Sequence, residues 1–132
     1  MPKKVLIVDD DPVFSKFLES ALSLSGYQVI LAGTGRGGLE KMKAGRPDLL
    51  LLDIKLPDME GWDVCVKIRE DTDLRSVPII MMSSVQKDLE DRLRALRMGA
   101  VHFLPKPFKP DLLKAKVDAV LRVRPAGREK EA

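Results

Sequence analysis

Three short runs of wholly apolar residues constrain the fold of this chain more than any other feature of its sequence. They occupy residues 5–8, 49–52 and 78–82, and each is followed directly by Asp or Ser. A strand with one face in water alternates apolar and polar side chains, whereas these runs are apolar on both faces. They therefore predict the central strands of a parallel sheet that is covered by helices on both sides.

Helical patterns fill the spaces between the apolar runs. The sequence predicts five strands and five helices in alternation, with the two remaining strands at 27–31 and 101–104 and the last two helices at 86–98 and 111–122. Because parallel strands joined by right-handed crossovers end at one edge of the sheet, the residues that follow the strands should meet there. We predict one α/β domain over residues 1–122 and a polar, disordered tail over 123–132.

The composition excludes several classes of function. The chain has 23 basic and 20 acidic residues, and only four Phe, one Tyr and one Trp. No stretch interleaves basic with aromatic residues, so direct binding of nucleic acid is not expected. No apolar run approaches the roughly 18 residues that a membrane span needs, and the N-terminus lacks the apolar core of a signal peptide. We expect a cytoplasmic protein that makes no membrane contact.

Charged and hydroxyl residues follow the predicted strands at the shared edge. Asp9 and Asp10 follow the first strand, Asp53 the third, Ser83 the fourth and Lys106 the fifth. Two carboxylates about 4 Å apart repel each other by roughly 4 kcal/mol at an effective dielectric constant near 20. Mg²⁺ and the Lys106 ammonium can supply the counter-charge that such a cluster needs. Since a carboxylate beside such a metal is a ready nucleophile, the pattern predicts phosphoryl transfer to Asp53.

Each of these residues also has a structural explanation. Asp11 suits the N-cap of the first helix, with Pro12 at the first helical position. Asp53 alone could close a strand as a turn residue, Ser83 could cap the next helix, and Lys106 could be a solvated surface lysine. We favour the functional interpretation because all the candidate positions coincide at one edge of the predicted sheet.

The segments that carry these residues resemble a known family. They are Val8-Asp9-Asp10, Leu52-Asp53-Ile54-Lys55-Leu56-Pro57, residues 78–83, and the segment 99–108 that contains Phe103-Leu104-Pro105-Lys106-Pro107. Their order and spacing are similar to those of the receiver domain of bacterial two-component response regulators, of the chemotaxis-type, single-domain kind. The resemblance covers about residues 3–122. It implies a flavodoxin-like, doubly wound five-stranded sheet with strand order 2-1-3-4-5.

The resemblance also implies how the acidic residues act. Asp53 would accept a phosphoryl group from a histidine kinase or a phosphotransfer protein. Asp10, Asp53 and the backbone carbonyl of Lys55 would bind Mg²⁺, with Asp9 acting through water. The chain would catalyse only its own phosphorylation and dephosphorylation. Lys55 stands where the family tunes the lifetime of the phosphoryl group, so we expect it to alter dephosphorylation.

The remaining site residues follow from the same resemblance. Lys106 would contact the phosphate, and the peptide bond before Pro107 would be cis. Ser83 and Phe103 would form the switch pair, in which phosphorylation draws Ser83 to the phosphate and turns Phe103 inward. Ser83 stands where threonine is common in the family and keeps its hydroxyl group. Phe103 stands where tyrosine is common and lacks the phenol hydroxyl.

We expect the chain to pass on its signal by binding a protein partner. The chain contains no helix-turn-helix motif and no catalytic domain beside the receiver-like segments, so its signal should pass through a protein partner. The surface that phosphorylation would remodel comprises the helix at 86–98, the strand at 101–104 and the helix at 111–122.

Three alternative functions fit parts of the sequence. Residues 33–38 match the Gly-x-Gly-x-x-Gly pattern of dinucleotide-binding proteins, although they follow the second strand and leave Asp9, Asp10 and Lys106 unexplained. A flavodoxin shares the predicted fold, but Asp9 and Asp10 would repel its phosphate. The third alternative is a receiver-like scaffold that binds partners without being phosphorylated.

Overall fold

Strands and helices alternate along the described chain. The computed structural model describes residues 2–84 and 88–131, with side chains except at residues 88 and 123–131. The strands are β1 (Lys4–Val8), β2 (Gln28–Ala32), β3 (Leu49–Asp53), β4 (Ile79–Ser83) and β5 (His102–Pro105). The helices are α1 (Pro12–Leu24), α2 (Gly35–Gly45), α3 (Gly61–Glu70), α4 (Asp88–Arg97) and α5 (Pro110–Glu131).

The sheet has the predicted architecture. All paired strands are parallel, and they lie in the order β2-β1-β3-β4-β5. Alternate residues of the apolar runs enter two separate cores: one contains Val5, Ile7, Leu49 and Leu51 and the other contains Leu6, Val8, Leu50 and Leu52. Helices α1 and α5 cover the first core, and α2, α3 and α4 cover the second. The flavodoxin-like α/β fold is therefore confirmed.

Several predicted boundaries differ from the structure or fall outside its described part; β2 and β5, for example, each lie one residue later than predicted. Helix α5 continues to Glu131, past the end near Arg122 that the sequence predicts. The division between a domain at 1–122 and a tail at 123–132 stays a prediction, because the side chains of 123–131 lie outside the described residues. The predicted helix start at Gln86 also lies outside them. None of the helices in the described ranges combines the length and apolar character that crossing a bilayer requires.

The glycine-rich turn at 33–38 forms the start of α2. The side chain of Thr34 accepts a hydrogen bond from the Gly37 N–H at 2.9 Å. The Asp58 carboxylate, from the loop after β3, accepts hydrogen bonds from the N–H groups of Arg36 (2.9 Å) and Gly35 (2.8 Å), and these bonds lower the pKa of Asp58. Dinucleotide-binding proteins use such amides for a pyrophosphate. Here the protein's own carboxylate occupies them, which disfavours the dinucleotide alternative.

Gly61 lets the loop after β3 return closely to the end of the strand. Its N–H donates a hydrogen bond to the carbonyl oxygen of Ile54 at 2.6 Å. A Cβ at this position would lie 2.9 Å from the Cα of Ile54, and closer still to the carbonyl oxygen of Asp53. Because these neighbours are backbone atoms, no side-chain rotamer can relieve the contact. The absence of a Cβ at Gly61 therefore keeps the loop beside Asp53.

We expect the substitution Gly61→Ala to lower the free energy of unfolding by about 1–3 kcal/mol, because the added methyl group overpacks the backbone of β3. Urea denaturation measures this change. Gly33→Ala is the matched control, since a Cβ at Gly33 meets no atom within 4 Å. The control should stay within about 0.5 kcal/mol of the wild type. Equal stability of the two variants would contradict the close approach at Gly61.

Candidate functional site

Polar side chains from four strand ends converge at one edge of the sheet. Asp9 and Asp10 follow β1, Asp53 and Ser83 are the last residues of β3 and β4, and Lys106 follows β5. The backbone N–H of Lys106 donates to the carbonyl oxygen of Ser83 at 2.7 Å, which joins the ends of β4 and β5. The structure thus brings together the residues that the sequence predicts at this edge.

Three carboxylates form the acidic cluster of the site. One oxygen atom from each of Asp9, Asp10 and Asp53 lies within 4.8 Å of the other two. Asp9 and Asp53 are each 3% exposed, whereas Asp10 is exposed. Burying carboxylates this close together is unfavourable unless cations compensate their charge.

Lys106 supplies a cation to the acidic cluster. Its Nζ donates a hydrogen bond to Oδ2 of Asp53 at 2.9 Å and lies 2.9 Å from Oδ2 of Asp9. The second contact is an ion pair. Oδ2 of Asp9 is buried and accepts no hydrogen bond from the described residues.

Backbone N–H groups bind the other carboxylate oxygens of the site. Oδ1 of Asp9 accepts a hydrogen bond from the Asp11 N–H at 2.9 Å, and Oδ1 of Asp53 accepts one from the Lys55 N–H at 3.2 Å. The Asp11 side chain accepts from the N–H of Val13 at 3.0 Å, in the first turn of α1. Asp11 is therefore the N-cap of this helix, as the sequence predicts, and does not join the acidic cluster.

Burial and the neighbouring charges act in opposite directions on the titration of the site. Burial raises the pKa of Asp53 to about 6, although the hydrogen bond and the charge of Lys106 act to lower it. Burial acts to lower the pKa of Lys106, but its hydrogen bond to Asp53 and the negative charges of Asp53 and Asp9 outweigh burial and raise it. Asp53 is ionised near neutral pH, and a further cation would favour its ionised form.

The acidic cluster fits a magnesium ion. Its three carboxylates outnumber the single ammonium by two charges, which is the charge of one Mg²⁺. Carboxylate oxygens are the ligands that this ion prefers, and the buried Oδ2 of Asp9 lacks a hydrogen-bond donor. Asp9, Asp10 and Asp53 are the side chains that would hold the metal. The participation of the Lys55 carbonyl stays a prediction.

The two residues of the predicted switch pair are buried. Ser83 is 1% exposed at the end of β4. Phe103 is 6% exposed and lies in the core that also contains Trp62. The inward position that the sequence analysis expects for Phe103 after phosphorylation is therefore the position in this structure. The peptide bond between Lys106 and Pro107 is cis, the configuration that the resemblance implies.

An aromatic pair that the sequence analysis does not place in the site lies beside Lys106, with Phe14 in contact with the ammonium and Phe108 packed on Phe14. The ring centroid of Phe14 lies 5.0 Å from the Lys106 Nζ. The ring of Phe108 packs edge-on against that of Phe14, with centroids 5.3 Å apart. The sequence does not indicate a place for Phe14 in the site, because Phe14 fits the apolar periodicity of α1 and is expected to be an ordinary core residue. Its position in the first turn after the N-cap Asp11, close in sequence to the acidic residues, is the signal that could have indicated it.

Comparison with known proteins identifies the family. A family model described as "Response regulator receiver domain" matches residues 5–118. "Probable transcriptional regulator ycf27" of Guillardia theta is 43% identical over 120 residues, which are 91% of this chain and 46% of that protein. The alkaline phosphatase synthesis transcriptional regulatory protein PhoP of Bacillus subtilis (strain 168) is 37% identical over 122 residues, which are 92% of this chain and 50% of PhoP.

Solved structures agree with this result. The crystal structure of a CheY-like response regulator receiver domain protein from Methanospirillum hungatei JF-1 is 34% identical, with a TM-score of 0.85 and 100% of both chains covered. The chain spans about half the length of the two curated relatives. The matched segment contains the acidic cluster and Lys106. The chain therefore belongs to the response regulator receiver domain family, the signalling domains of two-component systems.

Proposed function

We propose that the chain accepts a phosphoryl group on Asp53 from a histidine kinase or a phosphotransfer protein, in a reaction that requires Mg²⁺. The observation that carries the proposal is the Lys106 ammonium, 2.9 Å from carboxylate oxygens of both Asp9 and Asp53 in the acidic cluster. The family assignment supports it. The only histidine of the chain, His102, lies within β5, so the donor would be another molecule.

The proposed reaction is a direct phosphoryl transfer. One carboxylate oxygen of Asp53 forms a bond to phosphorus, while the bond between phosphorus and the donor breaks and its electron pair leaves with the donor. Mg²⁺ would neutralise negative charge on the phosphoryl oxygens. Lys106 would contact one of these oxygens and the Ser83 hydroxyl another. These groups supply positioning and charge stabilisation, which are most of what phosphoryl transfer requires of a protein.

The acceptor must be ionised to act as a nucleophile. Burial raises the pKa of Asp53 to about 6, so its charged form is favoured only moderately near neutral pH. A divalent cation bound by Asp9 and Asp10 would favour the carboxylate further. The cation that binds the incoming phosphoryl group would therefore also keep the acceptor in its reactive form.

The proposed output is altered binding of a protein partner at the surface formed by α4, β5 and α5. A groove of about 430 Å³ lies on this surface, and the partly exposed Leu96 and Leu112 line it. Phe103 reaches the same groove from β5. A change in the packing of Phe103 would therefore alter the groove directly. We infer that the domain acts in the cytoplasm and does not itself bind nucleic acid or membrane.

The second candidate function is a scaffold that binds partners without being phosphorylated. The inward position of Phe103 favours it, because a buried switch residue in this structure is compatible with a groove that needs no activation. The phosphorylated receiver is favoured instead by the residues that phosphoryl transfer needs, which are all present: Asp9, Asp10, Asp53 and Lys106. Whether Asp53 reacts with a phosphodonor distinguishes the phosphorylated receiver from the scaffold.

Acetyl phosphate with Mg²⁺ should raise the intact mass of the protein by one phosphoryl group. The reason is that a small phosphodonor can use the same acidic cluster without a kinase. Mass spectrometry should show no such increase in the Asp53→Asn variant, nor in the wild type after chelation of Mg²⁺. An unmodified wild type would favour the scaffold, and modification of Asp53→Asn would place the acceptor elsewhere.

Lys55→Asn should change the rate of dephosphorylation by about threefold or more, a barrier change of ~0.7 kcal/mol, without preventing phosphorylation. The side chain of Lys55 is exposed two residues after Asp53, where a long cation can influence water that approaches the phosphoryl group. Decay of the phosphorylated protein after removal of the donor measures the rate. Lys67→Asn, at an exposed lysine of α3, is the charge control. Identical decay of wild type and Lys55→Asn would reject the role of Lys55.

Beryllofluoride with Mg²⁺, which mimics a phosphoryl group, should shift backbone NMR signals in α4, β5 and α5 as well as near Asp53. The expected cause is a transmitted change in the packing around Phe103. The Asp53→Asn variant should show none of these shifts. Changes restricted to the neighbours of Asp53 would argue against a transmitted switch.

A further inference from the structure

The Lys106 ammonium has three close neighbours of two chemical kinds. Two are carboxylate oxygens, from Asp9 and Asp53, each 2.9 Å from Nζ. The third is the ring of Phe14, whose centroid lies 5.0 Å from Nζ. The side chain of Lys106 is only 12% exposed, so these groups replace most of its contact with water.

Phe14 is itself fixed by the elements on either side of it. Its backbone N–H donates to the Asp11 carboxylate at 3.1 Å, within the capped first turn of α1. Its ring meets the ring of Phe108 at an interplanar angle of 80°. Phe108 belongs to the connection between β5 and α5, which begins with Lys106. The Phe14 ring therefore links α1 to the segment that carries the lysine.

The aromatic ring attracts the Lys106 ammonium without adding negative charge, whereas a further carboxylate in its place would increase the repulsion within the acidic cluster. The face of an aromatic ring carries negative potential and attracts an ammonium most strongly where water is excluded. The ring has no net charge, so it adds nothing to the repulsion within the acidic cluster. Phe14 can thus orient Lys106 while leaving the balance of formal charges unchanged.

We propose that Phe14 is a positioning residue that holds the Lys106 ammonium beside Asp9 and Asp53. From this place the ammonium would contact the incoming phosphoryl group. Phe14 acts only through Lys106 and does not touch the reacting atoms. The kinetic consequence rests on the function proposed above, whereas the placement of Lys106 can be tested without phosphoryl transfer.

A purely structural role for Phe14 gives different expectations. If the ring only fills space, Phe14→Leu would change stability and leave the chemistry of the folded protein unaltered. Phe14→Tyr keeps an aromatic face and should rescue a positioning role. Phe17→Leu is the matched control, because Phe17 lies on the same helix and is 55% exposed.

The first experiment measures phosphorylation by acetyl phosphate at saturating Mg²⁺, with circular dichroism to confirm that each variant is folded. The maximal rate should fall roughly three- to tenfold in Phe14→Leu, while the donor concentration at half-maximal rate stays unchanged. Phe14→Tyr and Phe17→Leu should behave as the wild type. An unaltered rate in folded Phe14→Leu, or equal losses in Phe14→Leu and Phe14→Tyr, would overturn the proposal.

The second experiment tests the placement in the protein without donor or metal. Protons above an aromatic face resonate upfield, so one lysine Cε proton signal should be displaced from the others in the NMR spectrum. This signal should be absent in Lys106→Met, should persist in Phe14→Tyr and should return towards the other lysines in Phe14→Leu. A wild-type spectrum without a displaced signal would overturn the placement. A displaced signal together with an unreactive Asp53 would count against the proposed function and support the placement.

Discussion

The contact of one ammonium with two buried carboxylates is the interaction on which the functional site depends. Asp9 and Asp53 are almost fully buried, and either would destabilise the fold if it were left without a cation. The parallel sheet makes the contact possible because it brings the ends of β1, β3 and β5 to the same edge. Lys106 must reach past the end of β4 to meet both acids, a span that suits its long and flexible side chain.

The sequence determines the sheet and its edge with little ambiguity. The runs at 5–8 and 49–52 are apolar on both faces, so they require cover on both sides. Asp9 and Asp53 follow these runs directly and limit how far each strand can slide, because a shift would carry a carboxylate deeper into the core. For this reason the helix cover on both sides of the sheet and the meeting of the acidic residues with Lys106 could be anticipated from the residues, whereas the strand order came from the resemblance to the receiver family.

Contacts made by the connecting segments could not be anticipated in the same way. The capping of α2 by Asp58, the approach of Gly61 to β3 and the ring of Phe14 beside Lys106 each join residues from different elements. Local propensity and periodicity describe single elements and carry no information about how two loops meet. The end of α5 has a related cause, since helix propensity can extend a helix beyond Leu121, which is the last buried residue among the described side chains.

The carboxylate of Asp58 at the start of α2 has a consequence for selectivity. Free helix amides attract phosphate and other small anions, which are abundant in cells. Asp58 is tethered to the same molecule, so its effective concentration at these amides exceeds that of most dissolved competitors. The N–H groups of Gly35 and Arg36 at the start of α2 are therefore already occupied by the Asp58 carboxylate. The acidic cluster Asp9, Asp10 and Asp53 lies at the carboxyl-terminal edge of the same sheet, so under the proposed function an oxyanion would enter there only once a cation had offset these carboxylates.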